Sequence, residues 1–201
     1  MPSPDPGSRI VPIAARTLMA EKSIGLIELS SVAAGFNTAD AMLKAANVQL
    51  LLSRSICSGK YMVMVGGEVG AVQASVAAGR AAADGCLIDD FIIPNVHPDV
   101  FAALGRTTIP DVGAALGVLE SFSVASLIEG ADAAAKAGNV TLLEIRLAMA
   151  LGGKAFVTMT GDVASVQAAI DAGKAKIGER GMLTYAVVIP RPHPDVYREV
   201  V

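Results

Sequence analysis

The chain is written twice. IGLIELSSVAAGFNTADAMLKAANVQLL (24–51) aligns with LGVLESFSVASLIEGADAAAKAGNVTLL (116–143) at a constant spacing of 92 residues. Gly25 falls on Gly117, Ala39-Asp40 on Ala131-Asp132, and Lys44, Asn47 and Val48 on Lys136, Asn139 and Val140. GGEVGAVQASVAAG (66–79) then matches TGDVASVQAAIDAG (160–173) at 94, and IIPNVHPDV (92–100) matches VIPRPHPDV (188–196) at 96. A duplication of this kind limits the fold to one that a short unit can build and then set beside its own copy. The units are predicted over 22–105 and 114–201, with RTTIPDVG (106–113) as linker. Residues 1–21 fall outside the repeat, and their prolines and glycine predict a flexible extension.

Each unit predicts the same order of elements. In the first, Ile24–Leu29 is an apolar strand and Val32–Ala46 a helix stopped near Asn47. Val48–Ser53 and Tyr61–Val65 read as strands joined by a loop in which Gly59 gives turn freedom. Val69–Ala83 is a second helix, with Val69, Val72 and Val76 on one face. Leu87–Ile93 is a strand ended by Pro94, and a short helix follows His97. The order β-α-β-β-α-β is the ferredoxin-like one, so the fold class is α/β (α+β) with two tandem units.

The copies differ most where SRSICSGK (53–60) faces EIRLAMALGGK (144–154). Cys57 lies in that loop and has no cysteine counterpart. A repeated scaffold with one divergent loop points to function in the loop. Cys86, aligned with Met182, reads as a core position. His97 and His193 recur as HPD in both copies, which favours a structural role, as does the recurrence of Glu28 and Glu120. Lys60 and Lys154 read as solvated loop lysines.

Hydrophobic residues make up 53% of the chain and charged ones 17%, with a net charge of −3. Such a balance argues against a nucleic-acid partner and for surface buried against other chains. No apolar run reaches the roughly 18 residues of a spanning helix, so no membrane role is expected. The N-terminus has no secretory pattern, and two cysteines do not make a disulfide framework; a cytoplasmic protein is expected. No Ser-His-Asp set, phosphate loop or intrachain metal spacing points to an enzyme.

The ADAMLKAANV segment, the loop ending in SGK or GGK, the G[ED]V..VQ helix start and the IPRPH ending resemble the bacterial microcompartment shell domain. Two unpermuted copies in tandem resemble its trimeric, double-domain members. The resemblance implies a homotrimer that forms a pseudohexameric disc and tiles with other shell proteins around encapsulated enzymes. It implies a central pore lined by Ser55, Ile56, Cys57, Ser58 and Gly59 of the first unit and Met149, Ala150 and Leu151 of the second. It places Lys44, Lys136 and Arg191 at the tiling edge, with Asn95 at the Arg191 position of copy one. SICSGK further resembles the pore loop of the trimeric shell proteins of propanediol-utilisation compartments, with Ser58 where proline stands there. Those carry an iron–sulfur cluster, so the resemblance implies a [4Fe-4S] cluster held by one Cys57 per chain. It would serve electron transfer through the shell or cluster delivery to encapsulated redox enzymes. A cluster of this type takes four thiolates; three chains offer three, and water or a small ligand could complete the set. Two alternatives stand beside this: a metal-free pore tile for metabolite passage, and a duplicated ferredoxin-like sensor or enzyme working near His97 and His193.

Overall fold

The computed structural model describes residues 23–105, 108, 113–148 and 151–198. The predicted N-terminal extension, most of the linker, Met149, Ala150 and residues 199–201 lie outside the described residues.

The first domain runs β1 (Ser23–Leu29), α1 (Val32–Ala45), β2 (Gln49–Ile56), β3 (Lys60–Gly67), α2 (Val69–Ala82), β4 (Leu87–Pro94) and α3 (Pro98–Gly105). The second repeats it as β5 (Ala115–Ser121), α4 (Val124–Ala137), β6 (Val140–Leu147), β7 (Ala155–Gly161), α5 (Val163–Gly178), β8 (Leu183–Pro190) and α6 (Pro194–Arg198). Each domain has a four-stranded antiparallel sheet, in the orders β2-β3-β1-β4 and β6-β7-β5-β8. The predicted order of elements holds in both halves. The main departure is β2, which runs on through Ser53, Arg54 and Ser55 to Ile56. An edge strand needs only one apolar face, so polar residues do not end it. The expected loop therefore shrinks to a single turn at Cys57–Gly59.

The central strand β1 is buried along its whole length, which explains its apolar run. On one face Ile27 and Leu29 join Tyr61, Val63 and Val65 of β3, under Met42 of α1 and Val72 and Val76 of α2. On the other, Ile24 and Leu26 join Met62, Met64 and Phe91. That second layer is continuous with Val124, Ala125, Leu127 and Ile128 of α4, so one core crosses from domain to domain.

Helix starts follow from side-chain caps. Ser31 accepts the Ala34 N–H at 3.3 Å and Ser123 the Ser126 N–H at 3.1 Å. Gly35 lets α1 lie on the Tyr61 ring; a Cβ there would fall 2.2 Å from Cδ1 of Tyr61. Tyr61 is itself held between Phe36, at 5.2 Å between ring centroids, and the Ser53 hydroxyl at 3.0 Å. We expect Gly35→Ala to destabilise the fold by about 1–3 kcal/mol. Urea denaturation checks this, and an unchanged midpoint would refute it.

Candidate functional site

Two features stand out when the domains are placed side by side: the junction between them, and the pair of loops that meet at one end of it.

The junction is built from the end of β1 and β4 in the first domain and the start of α4 in the second. Glu28, fully buried, accepts the Val124 N–H at 3.1 Å and the Ser123 hydroxyl at 3.2 Å through Oε2. Its Oε1 pairs with Lys60 at 2.9 Å. A carboxylate at the first turn of α4 satisfies backbone donors that the helix leaves open and matches the helix dipole. Asp89, beside Glu28 in the sheet register, accepts from Ser123 and from the Ser126 hydroxyl, the latter at 2.9 Å. Arg180 closes the cluster by pairing with Asp89 and with Glu129 at 3.0 Å. Burial pushes the Glu129 carboxyl above its ordinary value, against the pull of Arg180 and Lys176. Further along, Asp132 accepts the His97 N–H at 2.8 Å, and Asp99 accepts the Leu142 N–H at 3.4 Å.

The two loops meet at the end of the junction. The Cys57 N–H donates to the Ala148 carbonyl at 2.8 Å. Gly153 lies beside the Ser58 hydroxyl, where a Cβ would be in ordinary contact with it at 3.4 Å. The turn needs left-handed backbone at Ser58 (φ 66°) and Gly59 (φ 71°). Ser58 adopts it at a steric cost that glycine would avoid. Cys57 is half-buried and in no disulfide. Ser55, Ser58 and Gly59 are exposed, and Leu151 is half-buried. Ile56 is 5% exposed and packs in the core, so its side chain supports the loop instead of facing outward.

The other sequence candidates are placed as follows. Lys44 is exposed and pairs with Asp40 at 2.6 Å. Lys136 makes the same pair with Asp132 at 2.6 Å, which puts it beside the domain junction. Arg191 is exposed in the turn after β8, with φ 50°, and its N–H reaches the Ala114 carbonyl at 2.8 Å. His97 and His193 each accept, through Nδ1, the N–H of the aspartate two residues on, at 3.3 Å in both copies. Lys60 opens β3 and is 21% exposed, so it is not the solvated loop lysine that the sequence suggested, whereas Lys154 stays in its loop and is 40% exposed. They pair with Glu28 and Glu120, at 2.9 and 3.1 Å. Sequence reasoning missed Asp89, Ser126, Glu129 and Arg180. The signal was available: these junction residues have Tyr185, Ala34, Asn37 and Asp84 at their repeat positions. Among the described residues no group of three or more His, Cys, Asp or Glu side chains could hold a metal ion within one chain. Among the described residues no helix is long and apolar enough to cross a membrane.

Comparison with known proteins agrees with this architecture. The BMC domain matches residues 23–96 and again 115–192. The chain is 44% identical over 180 residues to the bacterial microcompartment shell protein PduT of Citrobacter freundii, covering 90% of this chain and 98% of that one. A single-domain relative, the shell protein PduA of the same organism, is 42% identical over 84 residues, covering 41% of this chain and 90% of that one. The crystal structure of a microcompartment protein from Desulfitobacterium hafniense DCB superposes with a TM-score of 0.80 at 54% identity, covering 88% of this chain and 98% of that one. With the domain matched in both halves and a full-length relative at this identity, the chain belongs to the BMC-domain family of microcompartment shell proteins, carrying the domain twice in tandem.

Proposed function

We propose that three copies of this chain close into a ring of six domains that tiles a microcompartment shell in the cytoplasm, with a pore on the ring axis and no catalysis of its own. The observation that carries this reading is the mismatch between one buried junction and two open ends. Val100, Val124, Ile128 and Leu142 are 0% exposed at or beside the junction within the chain. Their repeat counterparts Val196, Val32, Phe36 and Leu50 are 47%, 38%, 65% and 37% exposed. The free face of α1 and β2 thus offers what α4 and β6 bury, and the free end at β8 and α6 offers what β4 and α3 supply. A head-to-tail contact repeated with a constant rotation closes into a ring. Glu120, paired with Lys154, would meet Ser31 and Val32 of the next chain as Glu28, paired with Lys60, meets Ser123 and Val124. A chain with only 17% charged residues and exposed apolar groups on two faces suits such burial.

In that ring the Cys57 loops, which already touch the second-domain loop at Ala148, converge on the axis. The Cys57 thiol fits an iron–sulfur group: it is half-buried, in no disulfide, and fixed by its own N–H at the tip of a tight turn. Three Cys57 side chains would hold three irons of a [4Fe-4S] cluster, leaving the fourth to an external ligand. When bound, the cluster would supply one-electron chemistry for transfer across the shell or for delivery to encapsulated redox enzymes. The chain's own part is to hold the thiolates and to keep the turn closed through the Cys57 to Ala148 hydrogen bond. PduT and PduA are microcompartment shell proteins by name; other shell proteins of that kind would be the partners at the outer edge, with Lys44, Lys136 and Arg191 as edge groups.

Anaerobic purification with iron and sulfide assay tests the cofactor. We expect about four irons per three chains in the wild type, and an iron-free but still trimeric Cys57→Ser. Wild-type protein that stays iron-free after anaerobic reconstitution would leave a metal-free pore for metabolite passage as the function.

A further inference from the structure

The helix and the strand that meet inside the chain have outward-facing copies in which large and small side chains have changed places. α4 lies across β1 and β4 of the first domain. There Ile128 and Phe91 are 0% and 2% exposed in the core that the two domains share. Their repeat counterparts are Phe36 on α1 and Val187 on β8. Each set holds one phenyl ring and one β-branched side chain. Inside the chain the ring is on the strand; on the open faces it is on the helix. Phe91 stands beside Leu26 in the sheet register, and Val187 beside Val118. Leu26 is fully buried, whereas Val118 and Val187 are only half-buried, as expected of a sheet face still waiting for its helix.

The polar groups around these pairs differ in the same sense. Asp89 accepts from the Ser123 and Ser126 hydroxyls and pairs with Arg180, which also holds Glu129. The open faces carry Tyr185 for Asp89, Ala34 for Ser126, Asn37 for Glu129 and Asp84 for Arg180. A tyrosine needs neither the second hydroxyl nor the arginine. Crossed pairings are therefore poor. The β4 side docked on α1 of another chain would press Phe91 against Phe36, and would carry Asp89 to a helix that lacks both the Ser126 hydroxyl and the Arg180 cation. The β8 side docked on α4 would leave a void between Val187 and Ile128 and strip Arg180 of Asp89. Overpacking and voids each destabilise, and a buried carboxylate without its cation costs more. Phe36 is 65% exposed yet already packed on Tyr61, at 5.2 Å between ring centroids, so it has little freedom left to lose on docking.

We propose that the two junctions are keyed differently: the α1 face accepts the β8 side of a second copy of this chain and refuses the β4 side, with Phe36 and Val187 as the deciding pair. This deepens the trimeric ring reading above and rests on it. Specificity of this kind comes from penalties on the wrong partner as much as from contacts with the right one. The keys make first and second domains alternate around the ring and keep first domains from joining one another. A ring of six domains then carries three Cys57 turns, one in every second domain.

Sedimentation of the full chain over a range of concentrations tests the keys in four proteins: wild type, Phe36→Ile, Val187→Phe, and the double variant. Val187→Phe gives the β8 side the residue of the β4 side, and so reproduces one refused pairing within the ring. Phe36→Ile gives α1 the residue of α4, and so reproduces the other. Each single change should weaken the trimer by at least about tenfold per junction. The double variant carries the pair used inside the chain and should return to within about threefold of the wild type. Thermal unfolding of the dilute single chains should be nearly the same in all four, because neither side chain is fully buried there. A trimeric wild type whose double variant simply adds the two losses overturns the pairing, as does a Val187→Phe protein that assembles as well as the wild type. A wild type that sediments as single chains at every concentration fails the ring reading itself and takes the keys with it.

Discussion

Val196→Asp should leave each chain folded and abolish the ring. Val196 is 47% exposed in the single chain, whereas its counterpart Val100 is 0% exposed where α3 packs beside β6. A valine buried at this place contributes about 1.5–3 kcal/mol. A carboxylate carried into the same apolar pocket costs several kcal/mol more, because it gives up its hydration there. The penalty recurs at all three junctions of a ring, and each 1.4 kcal/mol is about a factor of ten in affinity. At micromolar concentration light scattering should report single chains. The unfolding transition of the chain itself should move by no more than a few degrees, since the substituted side chain stays in water. Leu50→Asp on the opposite face should act alike, its counterpart Leu142 being fully buried. A Val196→Asp protein that remains trimeric at low micromolar concentration would refute the matching of the open ends.

Glu28→Ala should be among the most damaging single changes within the chain. The substitution strips Lys60 of its partner at 2.9 Å, and leaves the Val124 N–H and Ser123 hydroxyl without that acceptor. Breaking a buried pair by removing one partner costs about 3–5 kcal/mol, chiefly because the other charge is left behind. Glu120→Ala removes the repeat counterpart, whose side chain is 33% exposed and has one cationic partner, Lys154. In the single chain that change should cost no more than about 1 kcal/mol. Its effect should appear in the ring, where Glu120 would meet the start of α1. Chemical denaturation over a range of protein concentrations separates the two cases. The loss in Glu28→Ala should not depend on concentration, and the loss in Glu120→Ala should shrink on dilution. Equal, concentration-independent losses would contradict the assignment of Glu28 to an internal junction and Glu120 to an external one.

Much of the fold was legible because the sequence repeats itself. Agreement between copies separates elements from connections, and Gly25 with Gly117, or Ser31 with Ser123, mark the same strand and the same cap twice. The reading faltered at β2, since Ser53-Arg54-Ser55 has no apolar periodicity of its own; pairing with β3 holds it extended. The junction was less legible. Glu28 and its hydroxyl partner Ser123 are 95 residues apart, and no local pattern announces a contact of that range. Yet Glu28 with Lys60 and Glu120 with Lys154 recur at nearly the same spacing, and a recurring acid–base pair is a signal of pairing that the lysines alone do not give. The positions where the copies disagree proved the most informative. Asp89 against Tyr185 and Glu129 against Asn37 mark a junction that holds two further carboxylates inside the chain and would have an aromatic ring and an amide in their places between chains. Leu52 against Glu144 leaves Arg54, among the described residues, without the carboxylate that pairs with Arg146. The Cys57 loop announced itself for the same reason, as a difference set in a repeated frame.

A cryo-electron microscopy reconstruction of the full chain in its solution assembly tests the central claim most directly. The account predicts three chains around one axis, six domains in a ring, a junction between chains that superposes on the junction within them, and the Cys57 turns at the centre. A single chain, a dimer, or a ring that carries its Cys57 turns on the rim would contradict it.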